Sequence, residues 1–419
     1  MLLLIMKSNP VGRLIGYSNM ELNYLHRFGG RLCLLLALVH TLARCIFYIQ
    51  NGILKRELTE NFSVKNGFGI LVFLVVLVFG SSFRHLSHEW FIALKLPVTI
   101  GFILYTLFFH LPIGIFLTLC LTLSVVILDR IWTRIRNLRD NLPMPLAKIE
   151  ALQGRATRIT ISGSQIKRWL PGQHAYITIP SIAPFQAHPF TIATVDEMSF
   201  VTLVKSGFTL KLWDTATQNS TVHAIIDGPY GCPPPLSHFG QLILISASTG
   251  GSFTIPILLE RIQTPGCVEK IRYIWIVKSI ECIEWYAYLF GQAMVLSLES
   301  GIELEISIYV TRPPKVVEKS SVGSVIDKIS TSSEKGAASS AEKAEYLFKN
   351  TPSSGRSAMA FPFFCGRPKI STIITDETRD STVGETAVVV CGGAALSVDV
   401  RNCVAELQRN IFLHVEEFA

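Results

Sequence analysis

The most constraining feature of this chain is a set of four apolar stretches within roughly its first 130 residues. A helix that crosses a bilayer needs about 20 mostly apolar residues. The stretches that approach this length are about Gly30–Ile49, Phe68–Phe83, Glu89–Phe109 and Leu111–Leu128. A mean hydropathy of +0.40 with 49% hydrophobic residues also indicates membrane segments, because wholly soluble chains are less apolar. We therefore expect a multi-pass protein whose first part lies in a lipid bilayer.

A basic cluster, Asp129–Arg136 with Arg139, follows the fourth stretch. Lys and Arg are enriched on the cytoplasmic side of membrane helices. The cluster therefore predicts that the remainder of the chain is cytosolic. Counting back through the helices places the loop Asn51–Asn66 outside the cell.

Charge and cysteine content weigh against other classes of protein. The formal net charge is +7, but the cations are not gathered into the aromatic-laced patches that bind nucleic acid, and we expect no such partner. The nine cysteines show neither CxxC nor metal-ligand spacing, so a disulfide framework or a zinc site is not expected. The sequence leaves the oligomeric state open.

The second part of the chain changes character near Pro143. Short β-branched and aromatic runs between Pro and Gly turns predict an antiparallel barrel, and later apolar strands that lead into helical patterns predict a parallel α/β sheet. The predicted domains are residues 1–128, 129–236 and 237–419. A Ser/Lys/Glu/Ala-rich segment, about residues 313–356, has too few large apolar residues for a core and predicts a disordered insertion.

Two histidines lie at and in the first membrane stretch. His26 and His40 are 14 residues apart, so on one helix they lie nearly on one face and about 21 Å apart along the axis. Ionisable residues at membrane depth are costly and usually functional, and neutral imidazole is a common axial ligand of haem iron. Haem ligation is one interpretation, and hydrogen bonding within the helix bundle is the other.

The residues around these histidines resemble a known family. Leu25–Arg31 followed by His40 is similar to the third helix of the fungal ferric reductase transmembrane family, which belongs to the NADPH oxidase superfamily. In that family two histidines of the fifth helix complete two bis-histidine haems. The corresponding stretch here ends at His110 and has Lys95 at the first expected position. The resemblance implies one outer haem b, held by His40 with His110, and at the inner site it places Lys95 where a histidine is expected opposite His26.

A more specific resemblance is to the FAD-binding barrel of the ferredoxin-reductase and NADPH-oxidase superfamily. Leu170–Pro180 precedes His188–Ala193, and this pair of motifs is similar to the strands that hold the flavin. The resemblance implies an aromatic ring stacked on the isoalloxazine and a threonine hydrogen-bonded to its edge. The residues that it assigns to FAD are His188, Pro189, Phe190 and Thr191.

Two glycine-containing turns extend this resemblance. Lys205–Thr209 resembles a phosphate loop, where backbone N–H groups at a helix start meet the FAD pyrophosphate. Asp227–Gly231 resembles the Gly-Pro-Tyr-Gly hinge between the flavin barrel and the nicotinamide domain. The further cofactor residues implied are Lys205, Gly207, Thr209, Gly228, Pro229, Tyr230 and Gly231.

A third turn resembles the diphosphate site of the nicotinamide domain. It follows the predicted strand Leu242–Ile245 and contains Gly250 and Gly251. Glycines let the backbone approach a diphosphate closely at a helix N-terminus. Ser252 and Phe253 stand where the family usually has a third glycine.

The end of the chain adds the last two motifs. Val388–Ala394 resembles the Cys-Gly-Pro-Gly turn of the family, which implies that Cys391 and Gly392 lie against the nicotinamide and assist hydride transfer. Leu413–Phe418 resembles the C-terminus of the family, which usually adds one more aromatic residue that shields the flavin.

Together these resemblances imply a multi-domain fold: a transmembrane α-helical haem domain, an antiparallel β-barrel FAD-binding domain and an α/β Rossmann-like NADP-binding domain. They imply a plasma-membrane reductase that passes electrons from NADPH through FAD and haem to an external ferric or cupric chelate. The family has helices before its third, so we expect an N-terminally shortened chain. Two alternatives stay open: a superoxide-producing NADPH oxidase-like protein, and a degenerate, non-catalytic relative. The second is favoured by Lys95, by the absent first helices and by the altered turn at Gly250–Phe253.

Overall fold

The computed structural model describes residues 19–81, 88–109, 113–218, 220–312, 343–347, 360–379 and 384–417. The chain divides into two compact units, residues 1–138 and 139–419. Of the residues singled out above, His110 and Phe418 lie outside the described residues, and the side chain of Lys95 is not described.

The first unit is helical over its described residues, as the apolar stretches predict. Its helices are α1 (Asn19–Gln50), α2 (Leu54–Glu60), α3 (Phe62–Gly80), α4 (His88–Phe109) and α5 (Ile113–Asp140). Among the described side chains, apolar segments long enough to cross a membrane are Leu22–Gln50, Phe62–Gly80 and Phe116–Asp140. Helix α4 contains a shorter one, Pro97–Thr106.

Each of the four predicted stretches overlaps a helix within its described residues, but two of the helices extend well beyond the predicted bounds. Helix α1 begins at Asn19 rather than near Gly30, and α5 continues to Asp140 rather than ending near Leu128. No proline interrupts either extension, and Leu and Arg are good helix formers. Hydropathy identifies only the apolar part of a helix, so it underestimated the lengths of α1 and α5.

The segment Asn51–Asn66, predicted as a loop, instead contains α2 and the start of α3. Asn61 separates the two helices. Its side-chain Oδ1 accepts hydrogen bonds from the backbone N–H groups of Ser63 at 3.0 Å and Val64 at 3.3 Å. An asparagine directly before an apolar run is a usual N-terminal cap, and this signal was present in the sequence.

Helices α3 and α4 pack closely at a glycine. The Tyr105 hydroxyl donates a hydrogen bond to Asn66 Oδ1 at 2.6 Å. A Cβ at Gly69 would lie 2.7 Å from the Tyr105 oxygen. Small residues at such contacts let membrane helices approach each other, so Gly69 allows the hydroxyl to reach its acceptor.

The first half of the second unit is an antiparallel β structure. Its elements are β1 (Leu146–Leu152), β2 (Ala156–Ser162), β3 (His174–Thr178), β4 (His188–Thr191), β5 (Ser199–Leu203), α6 (Phe208–Ala216), β6 (Thr221–His223) and β7 (Ile225–Tyr230). One sheet has the strand order β5-β2-β1-β6 and the other β4-β3-β7. Buried residues from both, including Ile149, Ile177 and Phe200, share one core. The predicted antiparallel β domain is confirmed.

The second half of this unit is an α/β sheet. Its elements are β8 (Gln241–Ala247), α7 (Gly251–Gln263), β9 (Lys270–Val277), α8 (Ala287–Ser300), β10 (Glu303–Val310), β11 (Lys343–Leu347), β12 (Ala360–Cys365), α9 (Ile370–Arg379), β13 (Thr386–Gly392), α10 (Ala394–Glu406) and β14 (Ile411–Glu417). The strand order is β11-β12-β10-β9-β8-β13-β14. The described pairings are parallel except that of β11 with β12. This confirms the predicted parallel sheet.

Strand β11 lies inside the segment 313–356 that the sequence predicts to be disordered. Lys343–Leu347 pairs antiparallel with Ala360–Cys365, so the prediction is wrong for these five residues. The outer edge of β12 presents unpaired backbone groups that a short extended segment can join. The rest of the predicted insertion up to residue 356 lies outside the described residues.

Candidate functional site

Strand β3 brings the flavin motif and the hinge motif into one sheet. It pairs with β4 on one side and β7 on the other, so that His174 is opposite both Thr191 and Tyr230 in the register, and Tyr176 is opposite Pro189. The rings of His174, Tyr176 and Tyr230 have centroids 5.9 to 6.2 Å apart. The two motifs, which are distant in sequence, therefore meet around His174.

The hinge glycines allow the backbone of β7 to approach β3. A Cβ at Gly228 would lie 2.9 Å from the Ala175 Cβ and 3.0 Å from its Cα. Gly231 has a φ of +106°, and its carbonyl oxygen accepts a hydrogen bond from Gln173 Nε2 at 3.0 Å. Pro229 is half-buried between these glycines. The hinge is thus fixed against the strand that carries His174.

The flavin motif contacts the phosphate loop through Phe208. The His188 ring stacks on Phe208 with centroids 4.1 Å apart and planes 18° apart, and Phe190 lies 6.3 Å from the same ring. Phe208 is buried and is the first residue of α6, directly after Gly207. Sequence reasoning missed Phe208. The sequence feature that could have identified it is its position directly after Gly207 of the phosphate loop.

Gly207 forms the turn at the start of α6. Its φ is +64°, and no heavy atom of the described residues lies within 4 Å of the place a Cβ would occupy. The backbone N–H of Lys205 donates to Thr209 Oγ1 at 2.9 Å, so the threonine hydroxyl closes the loop. Both Lys205 and Gly207 are exposed. The loop therefore offers an open helix N-terminus with an adjacent cation, which suits an anionic ligand.

The glycine turn of the nicotinamide half follows strand β8. Residues Ser248–Gly250 form one 3-10 turn, and α7 begins at Gly251. A Cβ at Gly251 would lie 2.7 Å from the Tyr286 ring. The Ser252 Oγ is 2.6 Å from the Tyr286 hydroxyl. Tyr286 thus requires glycine at the helix start and holds the next residue by a hydrogen bond.

Two aromatic residues of β9 support the same turn. The hydroxyl of the fully buried Tyr273 is 3.1 Å from Ser246 Oγ and 2.7 Å from Thr254 Oγ1. It therefore connects the end of β8 to the first turn of α7. Trp275 Nε1 donates a hydrogen bond to the carbonyl oxygen of Ser248 at 2.9 Å. The backbone φ of Ser248 is +54°, which is uncommon for a residue other than glycine. Sequence reasoning did not identify these two residues.

This turn lies where the strand order of the parallel sheet reverses. The chain leaves β8 for β9 on one side and later returns through β13 on the other. Ligands of such sheets bind in the crevice beyond the strand ends at this point. Cys391 is opposite Ser246 in the register, and a Cβ at Gly392 would lie 3.3 Å from the Ala247 Cβ. The predicted Cys391 turn is thus brought to the strand end that leads to Gly250.

Phe253 links the nucleotide turn to the flavin barrel. A Cβ at Gly172, where φ is +87°, would lie 2.8 Å from the Phe253 ring. The same ring stacks on His414 with centroids 5.7 Å apart and planes 12° apart. Phe253 stands where the family usually has glycine, and it contacts both the loop before β3 and the C-terminal strand β14.

Burial sets the protonation of two groups in this region. Burial lowers the pKa of His174, against a smaller opposing effect of Glu416, so its imidazole is neutral at pH 7. Burial raises the pKa of the Cys391 thiol, and Glu416, its register partner on β14, raises it further. A thiol with a raised pKa stays protonated and is a poor nucleophile. Cys391 is therefore suited to contact a ligand as an uncharged thiol.

In the membrane unit, His26 and His40 share one continuous helix, α1. Their 14-residue separation corresponds to about 21 Å along its axis. His26 is half-buried and His40 is exposed. The predicted partner His110 lies outside the described residues. Within the described ranges, no group of three or more His, Cys, Asp or Glu residues is placed to hold a metal ion.

A helical membrane unit followed in the chain by a flavin-type barrel and a nucleotide-type parallel sheet defines the class of membrane-bound flavoprotein reductases. Three family models match in that order: "Ferric reductase like transmembrane component" over residues 1–106, "FAD-binding domain" over 141–234 and "Ferric reductase NAD binding domain" over 239–405. The chain belongs to the ferric reductase family of the NADPH oxidase superfamily.

Curated relatives carry the same description. Ferric reductase transmembrane component 1 of Schizosaccharomyces pombe is 25% identical, over 65% of this chain and 56% of its own. Ferric/cupric reductase transmembrane component 2 of the same organism is 25% identical, over 67% and 58%. The probable cell surface ferric reductase kap2 of Aspergillus oryzae is 26% identical, over 67% and 42%. The chain spans about half the length of these relatives.

Proposed function

We propose that this protein is a membrane-bound, NADPH-dependent ferric- or cupric-chelate reductase that serves iron or copper uptake. The observation that carries the proposal is the meeting, within one unit, of the Gly250 and Cys391 turns through strand pairing, and of this nucleotide site with the flavin barrel through the contact of Phe253 with Gly172. The names of the relatives support a ferric or cupric substrate. Membrane helices in the same chain support electron transfer across a bilayer.

The residues of the barrel fit FAD. The open N-terminus of α6 at Gly207 suits its pyrophosphate, and the exposed Lys205 adds positive charge. When bound, FAD accepts a hydride and releases single electrons. The residues that would hold it are His188, Pro189, Phe190, Thr191, Lys205, Gly207, Thr209, Gly228, Pro229, Tyr230 and Gly231.

The nucleotide turn fits the diphosphate of NADPH. Gly250 and Gly251 bring backbone N–H groups of the start of α7 to the crevice beside β13. Cys391 and Gly392 would lie against the nicotinamide. Because burial keeps the thiol protonated, Cys391 orients the ring without reacting with it.

Haem b is proposed at an outer site held by His40 and His110. His26 and His40 on one helix fit ligands at two membrane depths. Lysine is a cation at pH 7 and a poor iron ligand unless burial lowers its pKa, so we propose no haem at the inner position, where Lys95 stands at the second ligand position. We place the FAD and nicotinamide domains in the cytosol, at the plasma membrane, because the basic cluster follows the last span and one relative is named a cell surface reductase.

A reduced-minus-oxidised haem spectrum of the purified protein, with and without NADPH, tests the proposal. We expect about one haem per chain, reduced on addition of NADPH, since one matched histidine pair is proposed. Reduction of a ferric chelate should require the same haem. Bleaching of the flavin by NADPH with no haem band would exclude transmembrane reduction and leave only hydride transfer from NADPH to FAD.

The substitution Lys95→His tests the assignment of the haem ligands. Histidine at this position should raise the haem content from about one to about two per chain, because a second imidazole is then available to the iron at the inner position. The matched control is Lys65→His in α3, which should leave the haem content unchanged. An unchanged haem content in Lys95→His would contradict the assignment.

A further inference from the structure

The last turns of helix α5 bury polar residues and expose apolar ones. Asp129 and Thr133 are each 6% exposed, whereas Ile131, Ile135 and Leu138 are 50%, 58% and 64% exposed. The three apolar residues are four and three positions apart, so they form one stripe along the helix. A helix that faces water shows the opposite arrangement. This stripe therefore faces an apolar medium.

The length of α5 places this stripe at the surface of the bilayer. The helix has 28 residues and is about 42 Å long, at 1.5 Å per residue. The hydrocarbon core of a bilayer is about 30 Å thick, so about 12 Å of α5 extends into the headgroup region. Trp132, next to the stripe, is 62% exposed, and tryptophan is enriched at this boundary.

Two arginines lie beside the stripe. Arg130 and Arg134 are exposed and are four residues apart, so they follow one edge of it along the helix. Arginines beside an apolar surface extend their guanidinium groups to the polar boundary. Basic residues in this position attract the anionic lipids of a membrane surface.

We propose that residues 129–138 of α5, here called the α5 extension, lie against the bilayer surface and bind anionic phospholipids through Arg130 and Arg134. The occupant is a lipid bilayer because the stripe lies at the C-terminal end of the apolar membrane segment Phe116–Asp140 and is flanked by cations. The proposal does not depend on the reductase activity. Its ligand is the phosphate-bearing headgroup of an anionic lipid.

Quenching of tryptophan fluorescence by brominated lipid tests the apolar contact. The full chain is reconstituted in phosphatidylcholine with or without acyl-chain bromine, and the loss of emission per protein molecule is measured for wild type and Trp132→Phe. We expect a smaller loss in Trp132→Phe, because the quenched side chain is absent. The control Trp213→Phe, in α6, should show the wild-type loss. Equal losses in wild type and Trp132→Phe would overturn the proposal in favour of water or a second protein at the stripe.

Lipid retention tests the arginines. The protein is reconstituted in mixed phosphatidylcholine and phosphatidylserine and then purified in detergent. The ratio of phosphatidylserine to phosphatidylcholine that stays bound to the protein is measured by mass spectrometry. Each arginine removed, in Arg130→Gln and Arg134→Gln, should lower the preference for phosphatidylserine about fivefold. The matched Arg-to-Lys variants keep the charge and should keep the preference, and so should Arg168→Gln, an exposed barrel residue. Wild-type retention in the double Gln variant would overturn the headgroup site.

Discussion

The buried hydroxyl of Tyr273 holds both ends of the nucleotide turn, so Tyr273→Phe should loosen that turn without changing the ring that fills the core. The substitution removes contacts of 3.1 Å to Ser246 Oγ and 2.7 Å to Thr254 Oγ1. Each hydrogen bond contributes about 1 kcal/mol net, and a buried hydroxyl that loses its partner costs about as much or more. We expect a loss of about 2 kcal/mol in the free energy of unfolding.

The assay follows unfolding of the purified full chain through its flavin fluorescence. A loss of about 2 kcal/mol should lower the melting temperature by about 4–8 °C for a unit of this size. The KM for NADPH should rise, because Ser246 and Thr254 flank the Gly250 turn. The kcat should change less than the KM, because the substitution removes no side chain of the Cys391 turn; such a split indicates lost binding rather than lost transition-state stabilisation.

The matched control is Tyr309→Phe. Tyr309 stacks on Phe364 with ring centroids 5.0 Å apart, and its hydroxyl makes no hydrogen bond to any described residue. This variant should change stability by about 0.5 kcal/mol or less. If Tyr273→Phe loses no more stability than Tyr309→Phe, the hydroxyl does not hold the turn and the reasoning is refuted.

Three further predictions concern the flavin sheet and the thiols. Gly228→Ala should lower the ratio of FAD to protein, because its Cβ would lie 2.9 Å from the Ala175 Cβ and force β7 away from β3; a wild-type ratio would contradict this close approach. In the folded protein the pKa of His174 is lowered from 6.5, so the unfolded chain binds the proton more tightly. The free energy of unfolding should therefore fall as the pH drops below about 6.5. His174→Gln should reduce this dependence of the free energy of unfolding on pH, measured by urea unfolding at several pH values. Iodoacetamide should alkylate the exposed Cys232 faster than the buried Cys391, whose pKa is raised; equal rates by peptide mass spectrometry would argue against a buried, protonated thiol.

The fold could be predicted from the sequence because its signals are local. The uninterrupted apolar run Leu242–Ile245 becomes a strand whose core residues are fully buried, as expected in the middle of a parallel sheet covered on both faces. The glycine turn at Gly250 lies between strand β8 and helix α7, as its pattern indicates, whereas Gly228 lies within strand β7. Helix ends were predicted poorly, since the amphipathic extension of α5 has too many charges for a hydropathy signal.

The contacts that hold the site could not be predicted, because they join segments far apart in sequence. Tyr273 reaches Ser246, 27 residues away, yet in the sequence it is one aromatic residue in an apolar strand. Phe208 stacks on His188 across strand β5 and the phosphate loop. No local pattern separates such residues from ordinary core aromatics, so only the tertiary structure identifies them.

The departure from the glycine pattern at the nucleotide turn is compensated within the fold. The third glycine of such turns permits close packing of the helix on its surroundings. Here the Ser252 hydroxyl forms a hydrogen bond with the Tyr286 hydroxyl. The Phe253 ring packs against Gly172, which has no Cβ, and stacks on His414. Both side chains are engaged in these contacts, while Gly250 and Gly251 keep the backbone free of Cβ atoms at the start of α7. Because both side chains are accommodated by packing, the departure from the glycine pattern does not by itself favour the non-catalytic alternative.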